Sequence, residues 1–179
     1  VINDGARKAE EMRWGLVPFW AKDIKIGYRM INAVGETVST KPAFRAAYKK
    51  RRCLVLANGF FEWRKEGDAK VPTYIFLKSG EPFAMAGLWE TWKNPDGDLV
   101  RSCTIVTTRP NEFIAPIHNR MPVILSQETE ALWLDPVTEE ASTLNPLLIP
   151  SPPEELASYV VSSLVNSFKN SGPECIVAV

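Results

Sequence analysis

Three short polar motifs, each set in apolar and turn-rich sequence, carry the side chains best suited to chemistry: Ile31-Asn32-Ala33, Gly59-Phe60-Phe61-Glu62-Trp63 and Ile117-His118-Asn119-Arg120-Met121-Pro122. They supply an amide, a carboxylate and the only imidazole of the chain. Such a set can orient a substrate, move protons and stabilise a polar intermediate. Glu62 is flanked by aromatic residues. In a half-buried strand, Phe60 and Glu62 face one side while Phe61 and Trp63 face the other. A carboxylate in that setting is desolvated and resists ionising, a usual way to tune a general acid or base. The same pattern also fits a glutamate on the wet face of a sheet. His118 lies in a proline-bounded loop, where a lone histidine is either structural or a proton carrier. Asn32 offers an acceptor and donors, and suits equally a turn or cap just before a helix at Glu36.

These residues must be positioned by many short elements, because prolines and glycines punctuate the apolar runs. Met12 to Val17 reads as a strand, Pro18 to Met30 as a loop, and Glu36 to Lys50 as a helix in two pieces interrupted near Pro42. Cys53 to Ala57 is a short buried strand. Phe60 to Lys65 and Thr73 to Leu77 form a hairpin across Glu66 to Lys70. Phe83 to Trp92 and Leu99 to Thr108 form a second hairpin that turns at Asn94-Pro95-Asp96-Gly97-Asp98. A short helix is expected from Arg109 to near Pro116. Ser126 is a suitable N-cap for Gln127 to Leu134, with Glu128 in the first turn. Asp135 to Pro153 reads as loop and Tyr159 to Val165 as the last strand. Most connections are too short for parallel crossovers. The expectation is a mainly antiparallel α+β domain, with a curved or barrel-like sheet and peripheral helices, spanning 1–179 without a linker.

Composition narrows the functional classes. The 179 residues are 45% hydrophobic and 23% charged, ordinary values for a globular domain. No apolar run approaches the roughly 18 residues of a membrane span, and no membrane partner is expected. The net charge is zero, which argues against coating nucleic acid by bulk charge. Charge is nevertheless uneven. Between Thr37 and Phe61 stand Lys41, Arg45, Lys49, Lys50, Arg51 and Arg52, with no acidic residue. The run is either a solvated helix face or a local phosphate-binding patch. Cys53, Cys103 and Cys175 lack metal-ligand spacing, suit a reducing cytoplasm, and in apolar runs pack as small hydrophobes. No zinc spacing, phosphate-binding glycine loop or dinucleotide fingerprint is present, so no metal or other cofactor is expected.

Preceded by the aromatic run Arg13-Trp14-Gly15-Leu16-Val17-Pro18-Phe19-Trp20, the three motifs in this order resemble the SOS-response-associated peptidase (SRAP) family. The resemblance runs from about Met12 to about Val165. It implies an abasic-site sensor, associated with the nucleoid in a bacterium, that binds single-stranded DNA. It also implies a covalent thiazolidine crosslink through an N-terminal cysteine, exposed by autoproteolytic removal of the initiator methionine. In that family Asn32, Glu62 and His118 would be the catalytic residues. Trp14 would lie at the DNA surface, with Arg13, Arg29, Arg45 and Arg120 as basic contacts. The sequence departs from the family pattern in three places. It starts at Val1 with no cysteine before Cys53, Val34 stands where the family has an arginine, and Asn119 where an aspartate is common. The expectation is that an N-terminal segment is absent, so that this chain binds DNA without crosslinking. Two alternatives are a non-catalytic single-stranded-DNA-binding module and a hydrolase using Glu62 and His118 on another substrate.

Overall fold

Short apolar runs separated by tight turns satisfy their backbone groups by pairing with sequence neighbours, and antiparallel ladders dominate as a result. The computed structural model describes residues 1–179. Its strands begin with β1 (Ile2–Asn3), β2 (Arg7–Lys8), β3 (Arg13–Trp14) and β4 (Asn32–Val34), followed by helices α1 (Gly35–Val38) and α2 (Arg45–Lys50). Strands β5 (Arg52–Ala57), β6 (Phe60–Glu66), β7 (Ala69–Leu77), β8 (Phe83–Lys93) and β9 (Leu99–Thr108) come next. The chain continues through β10 (Met121–Pro122), β11 (Ile124–Leu125), α3 (Gln127–Leu134), α4 (Ala141–Leu144) and β12 (Leu156–Val160). The mainly antiparallel α+β class is as expected from the sequence. Residues gather into two compact units, one of residues 1–56, 84–108 and 122–150, the other of 57–83, 109–121 and 151–179.

In the first unit the sheet runs β9-β8-β5-β1-β2, with β11 on β8 and with β3 and β4 both parallel to β9. The order ends at β2 instead of closing. The β8–β9 hairpin turns where Asn94 and Asp98 exchange hydrogen bonds and Gly97 takes a φ of +96°. Leu16, Val38, Phe44, Tyr48, Leu88, Val106, Trp133 and Leu144 fill the core. Ser126 caps α3 by accepting from the Thr129 N–H.

The second unit holds a three-stranded antiparallel sheet, β12-β7-β6. Gly67, with a φ of +59°, forms the β6–β7 turn. Tyr74 lies at the centre of an aromatic cluster, with ring centroids 5.4 Å from Phe61, 5.7 Å from Phe76 and 5.6 Å from Tyr159.

Several sequence expectations are corrected. The strand expected over Met12 to Val17 is only Arg13–Trp14, because Gly15 turns the chain at a φ of +108°. The Gly15 Cα lies so close to the Gly27 carbonyl that a Cβ would fall 2.5 Å from its oxygen. The loop over Pro18 to Met30 includes a 3-10 helix at Ile24–Arg29, capped by Asp23. No helix starts at Arg109; residues 112–117 are turns, in which Asn111 Oδ1 accepts from the Ile114 N–H at 2.9 Å. Helix α4 interrupts the loop expected after Asp135. The last strand lies earlier than expected, with Leu156 opposite Leu77, and Ser162 caps a 3-10 turn at Ser163–Asn166.

The basic run also divides. Arg52 is buried, and its guanidinium donates to the carbonyls of Trp133, Tyr48, Lys49, Asp135 and Thr138. It ties the end of α2 to the end of α3 and cannot serve a surface patch. Arg51 is bound to Glu90 at 2.7 Å. Lys41, Arg45, Lys49 and Lys50 remain exposed. Replacing Arg52 with alanine strands several buried carbonyls without donors, so Arg52→Ala is expected to cost about 3 kcal/mol or more. Arg52→Lys, which keeps the charge but loses the planar fork, should cost less. Urea unfolding midpoints measure both, and an Arg52→Ala midpoint equal to wild type would contradict the role.

Candidate functional site

The second unit brings Glu62 and His118 together. Glu62 lies at the middle of β6, directly across from the buried Thr73 on β7. The residue that opens its motif is set by packing. A Cβ on Gly59 would fall 2.3 Å from the Tyr74 ring, so the chain enters β6 against the face of that tyrosine only because Gly59 has no side chain. His118 closes the 112–117 turns, its N–H bonded to the Ile114 carbonyl at 2.9 Å. His118 Nδ1 lies 3.5 Å from Glu62 Oε1.

Burial pushes the Glu62 carboxyl above the ordinary glutamate range, while the facing His118 charge and the Trp63 backbone N–H pull it back. The side chain retains 22% of its exposure and that of His118 retains 42%, so both groups can reach a solute. His118 Nδ1 has two further partners on one residue. It is 3.1 Å from the Arg120 carbonyl, an acceptor, and 3.2 Å from the Arg120 N–H, a donor. The ring nitrogen thus has a partner whether or not it carries the proton. A partly desolvated carboxyl beside an imidazole that is satisfied in either state is an arrangement for proton transfer.

The remaining candidates stand as follows. Arg120 belongs to this unit and meets His118 through its backbone. Asn32 lies in the first unit, exposed on β4 and in register with Ile105 of β9. In that unit Trp14 is 57% exposed although its indole N–H is bonded to the Ile31 carbonyl at 2.8 Å, which fixes the ring with a face to solvent. Phe19, Trp20 and Tyr28 are also exposed. The Arg13 guanidinium lies over the Tyr28 ring at 5.3 Å. Arg29 ends the 3-10 helix and is exposed, and Arg45 is exposed in the first turn of α2. Cys53 and Cys175 are buried and Cys103 partly so; burial raises the thiols of Cys53 and Cys103. No group of three or more His, Cys, Asp or Glu side chains is arranged to hold a metal ion. No helix is long and apolar enough to cross a membrane.

Sequence reasoning missed two contributors to the site. One is the Trp63 backbone N–H on the Glu62 carboxylate. The other is Asn166, which accepts from the Trp63 indole at 2.7 Å across 103 residues of chain. The first is local to the strand but carries no side-chain signal, and the second depends on tertiary placement.

The family model described as SOS response associated peptidase (SRAP) matches residues 1–168, and the chain belongs to this family. Among its relatives, the abasic site processing protein YoqW of Bacillus subtilis is 49% identical over 178 residues, covering 98% of this chain and 80% of that protein. The abasic site processing protein HMCES of Gallus gallus is 33% identical, covering 94% of this chain and 57% of that protein. A crystal structure of a protein from Bacteroides thetaiotaomicron superposes with a TM-score of 0.87 at 34% identity, covering 94% of this chain and 75% of that one.

Burial of the Glu62 carboxyl has a consequence for stability. Between the ordinary glutamate pKa of about 4.3 and its raised value in the fold, the folded chain binds more protons than the unfolded one. Stability contributed at this position therefore falls as pH rises through that window. Glu62→Gln is expected to be more stable than wild type above the window and equal to it at more acidic pH. Urea unfolding across pH reads this, and a pH-independent difference would contradict the desolvated carboxyl.

Proposed function

We propose that this protein processes abasic sites in single-stranded DNA by covalent capture, with Glu62 and His118 moving the protons. The observation that carries this reading is the close pair of a desolvated carboxyl and an imidazole. Membership of a family whose relatives are named abasic site processing proteins supports it.

An opened abasic sugar presents an aldehyde. In a form of the protein that carries a mature N-terminal cysteine, the α-amine attacks the aldehyde carbon to give a carbinolamine. An α-amine titrates near pH 8, so a neutral fraction exists at physiological pH. The protonated Glu62 donates to the departing hydroxyl, water leaves, the Glu62 carboxylate takes up the nitrogen proton, and an imine forms. The cysteine sulfur then adds to the imine carbon, closing a thiazolidine ring, and its proton goes to the ring nitrogen. His118 assists sugar opening. The same acid–base pair would serve hydrolytic removal of an initiator methionine ahead of the cysteine. Trp14 offers a fixed ring for base stacking, a contact worth about 1–3 kcal/mol per base. Arg13, Arg29, Arg45 and Arg120 contact the strand, and Arg13 and Arg29 are the candidates to replace the arginine that Val34 displaces.

The test is a denaturing gel with an abasic single-stranded oligonucleotide. The chain extended to a mature N-terminal cysteine should give a shifted covalent band. Changing that cysteine to alanine should abolish the band and leave binding largely intact. In the extended chain, Glu62→Gln should slow capture by about 100-fold, the low end for loss of a general acid–base. A covalent band from the chain beginning at Val1, or an unchanged rate for Glu62→Gln, would contradict the mechanism.

A further inference from the structure

Strand β6, which carries Glu62, is an edge strand, paired with β7 and with nothing on its other side in the sheet. An edge strand is paired along one side only, and its other side leaves N–H and C=O groups without a strand partner. Glu62 must nonetheless hold a fixed relation to His118. What fixes it can be traced through the next residue.

Trp63 faces Pro72 in the β6–β7 register, and the Pro72 carbonyl accepts from the Val161 N–H on the opposite side, at 3.0 Å. Backbone groups of one residue in an antiparallel strand point the same way. Trp63 and Pro72 are therefore a non-hydrogen-bonded pair, and the Trp63 N–H points out from the free edge of β6. That N–H is among the groups that hold the Glu62 carboxyl down toward its ordinary range. The side chain of the same residue is held separately. Its indole N–H donates to Asn166 Oδ1 at 2.7 Å. Asn166 ends the 3-10 turn Ser163–Asn166, which is closed at its start by the Ser162 hydroxyl accepting from the Leu164 N–H and bridged by Asn170 Nδ2 donating to the Leu164 carbonyl at 2.8 Å.

We propose that Asn166 is a positioning residue for the acid–base pair. By anchoring the indole of the residue next to Glu62, it locks the edge of β6 and with it the place of Glu62 beside His118. The inference rests on the reading of Glu62 as the proton carrier of the site. It assigns the C-terminal turn at 163–170 a part in the chemistry that no motif in the sequence announces. The turn touches no reacting atom; it acts through Trp63.

The chain as described, without DNA, suffices for the test, so failure here and failure of the abasic-site reading are distinguishable. The probe is the backbone amide of Trp63 in nitrogen–proton NMR spectra recorded across pH. In wild type this amide should shift with the titration of Glu62, and Glu62→Gln should abolish the shift, which identifies its source. Asn166→Ala should lose most of the titration amplitude at the Trp63 amide. Trp63→Phe, which removes the indole donor, should do the same at residue 63, and the double variant should lose no more than either single one. Asn166→Asp keeps an acceptor and should retain the shift. Thermal unfolding of each variant separates this local effect from general loss of fold. A full-amplitude titration in both Asn166→Ala and Trp63→Phe would overturn the proposal. So would additive losses in the double variant.

Discussion

A carboxyl group held partly out of water on the edge of a sheet is the constraint around which the second unit is arranged. Charge on Glu62 is disfavoured by burial and restored in part by His118 and by the Trp63 amide. The Trp63 amide is adjacent in the chain, but His118 has to be brought in from distant sequence. His118 comes from the turns that precede β10, fixed by the Ile114 carbonyl. The strand itself is set by the contact of Gly59 with the Tyr74 ring, which leaves no room for a Cβ. A partly exposed acid that is neither fully solvated nor neutralised by a fixed cation can change protonation state at modest cost. Glu90, in the first unit, is by contrast held in an ion pair by Arg51.

The first unit solves a different problem with similar means. Its helices are short, six and eight residues in α2 and α3, and short helices leave many terminal carbonyls unpaired. Arg52 gathers the ends of both with one buried guanidinium. The unit also presents fixed aromatic surface: the Trp14 indole is bonded at its N–H yet more than half exposed. The SRAP family match spans segments of both units.

The sequence makes some of this legible and hides the rest for physical reasons. Both hairpins can be read because their turns are local, marked by Gly67 and by the Asn94 to Asp98 loop. The desolvation of Glu62 can be read because its aromatic neighbours are adjacent in the chain. The cap at Ser126 is likewise a local signal, and α3 begins at the expected residue. The two-residue strands β1 and β2 have no periodicity to read; they pair with each other, and β1 in turn with the distant β5. Arg52 looks like its basic neighbours until the fold folds it inward. The last strand is misplaced because its register is set by β7, not by its own apolar run. Asn166 is one asparagine among several, and its bond to Trp63 appears only when the C-terminal turn packs against β6.

Electrostatic coupling between Glu62 and His118 is the central claim, and carbon-13 NMR titration of the Glu62 side-chain carboxyl tests it most directly. In wild type the carboxyl should titrate above the ordinary glutamate range. Replacing His118 with alanine removes the charge that favours ionised Glu62, so the midpoint should rise further. The account would be contradicted by a wild-type midpoint at the ordinary glutamate value, or by one that His118→Ala leaves unchanged.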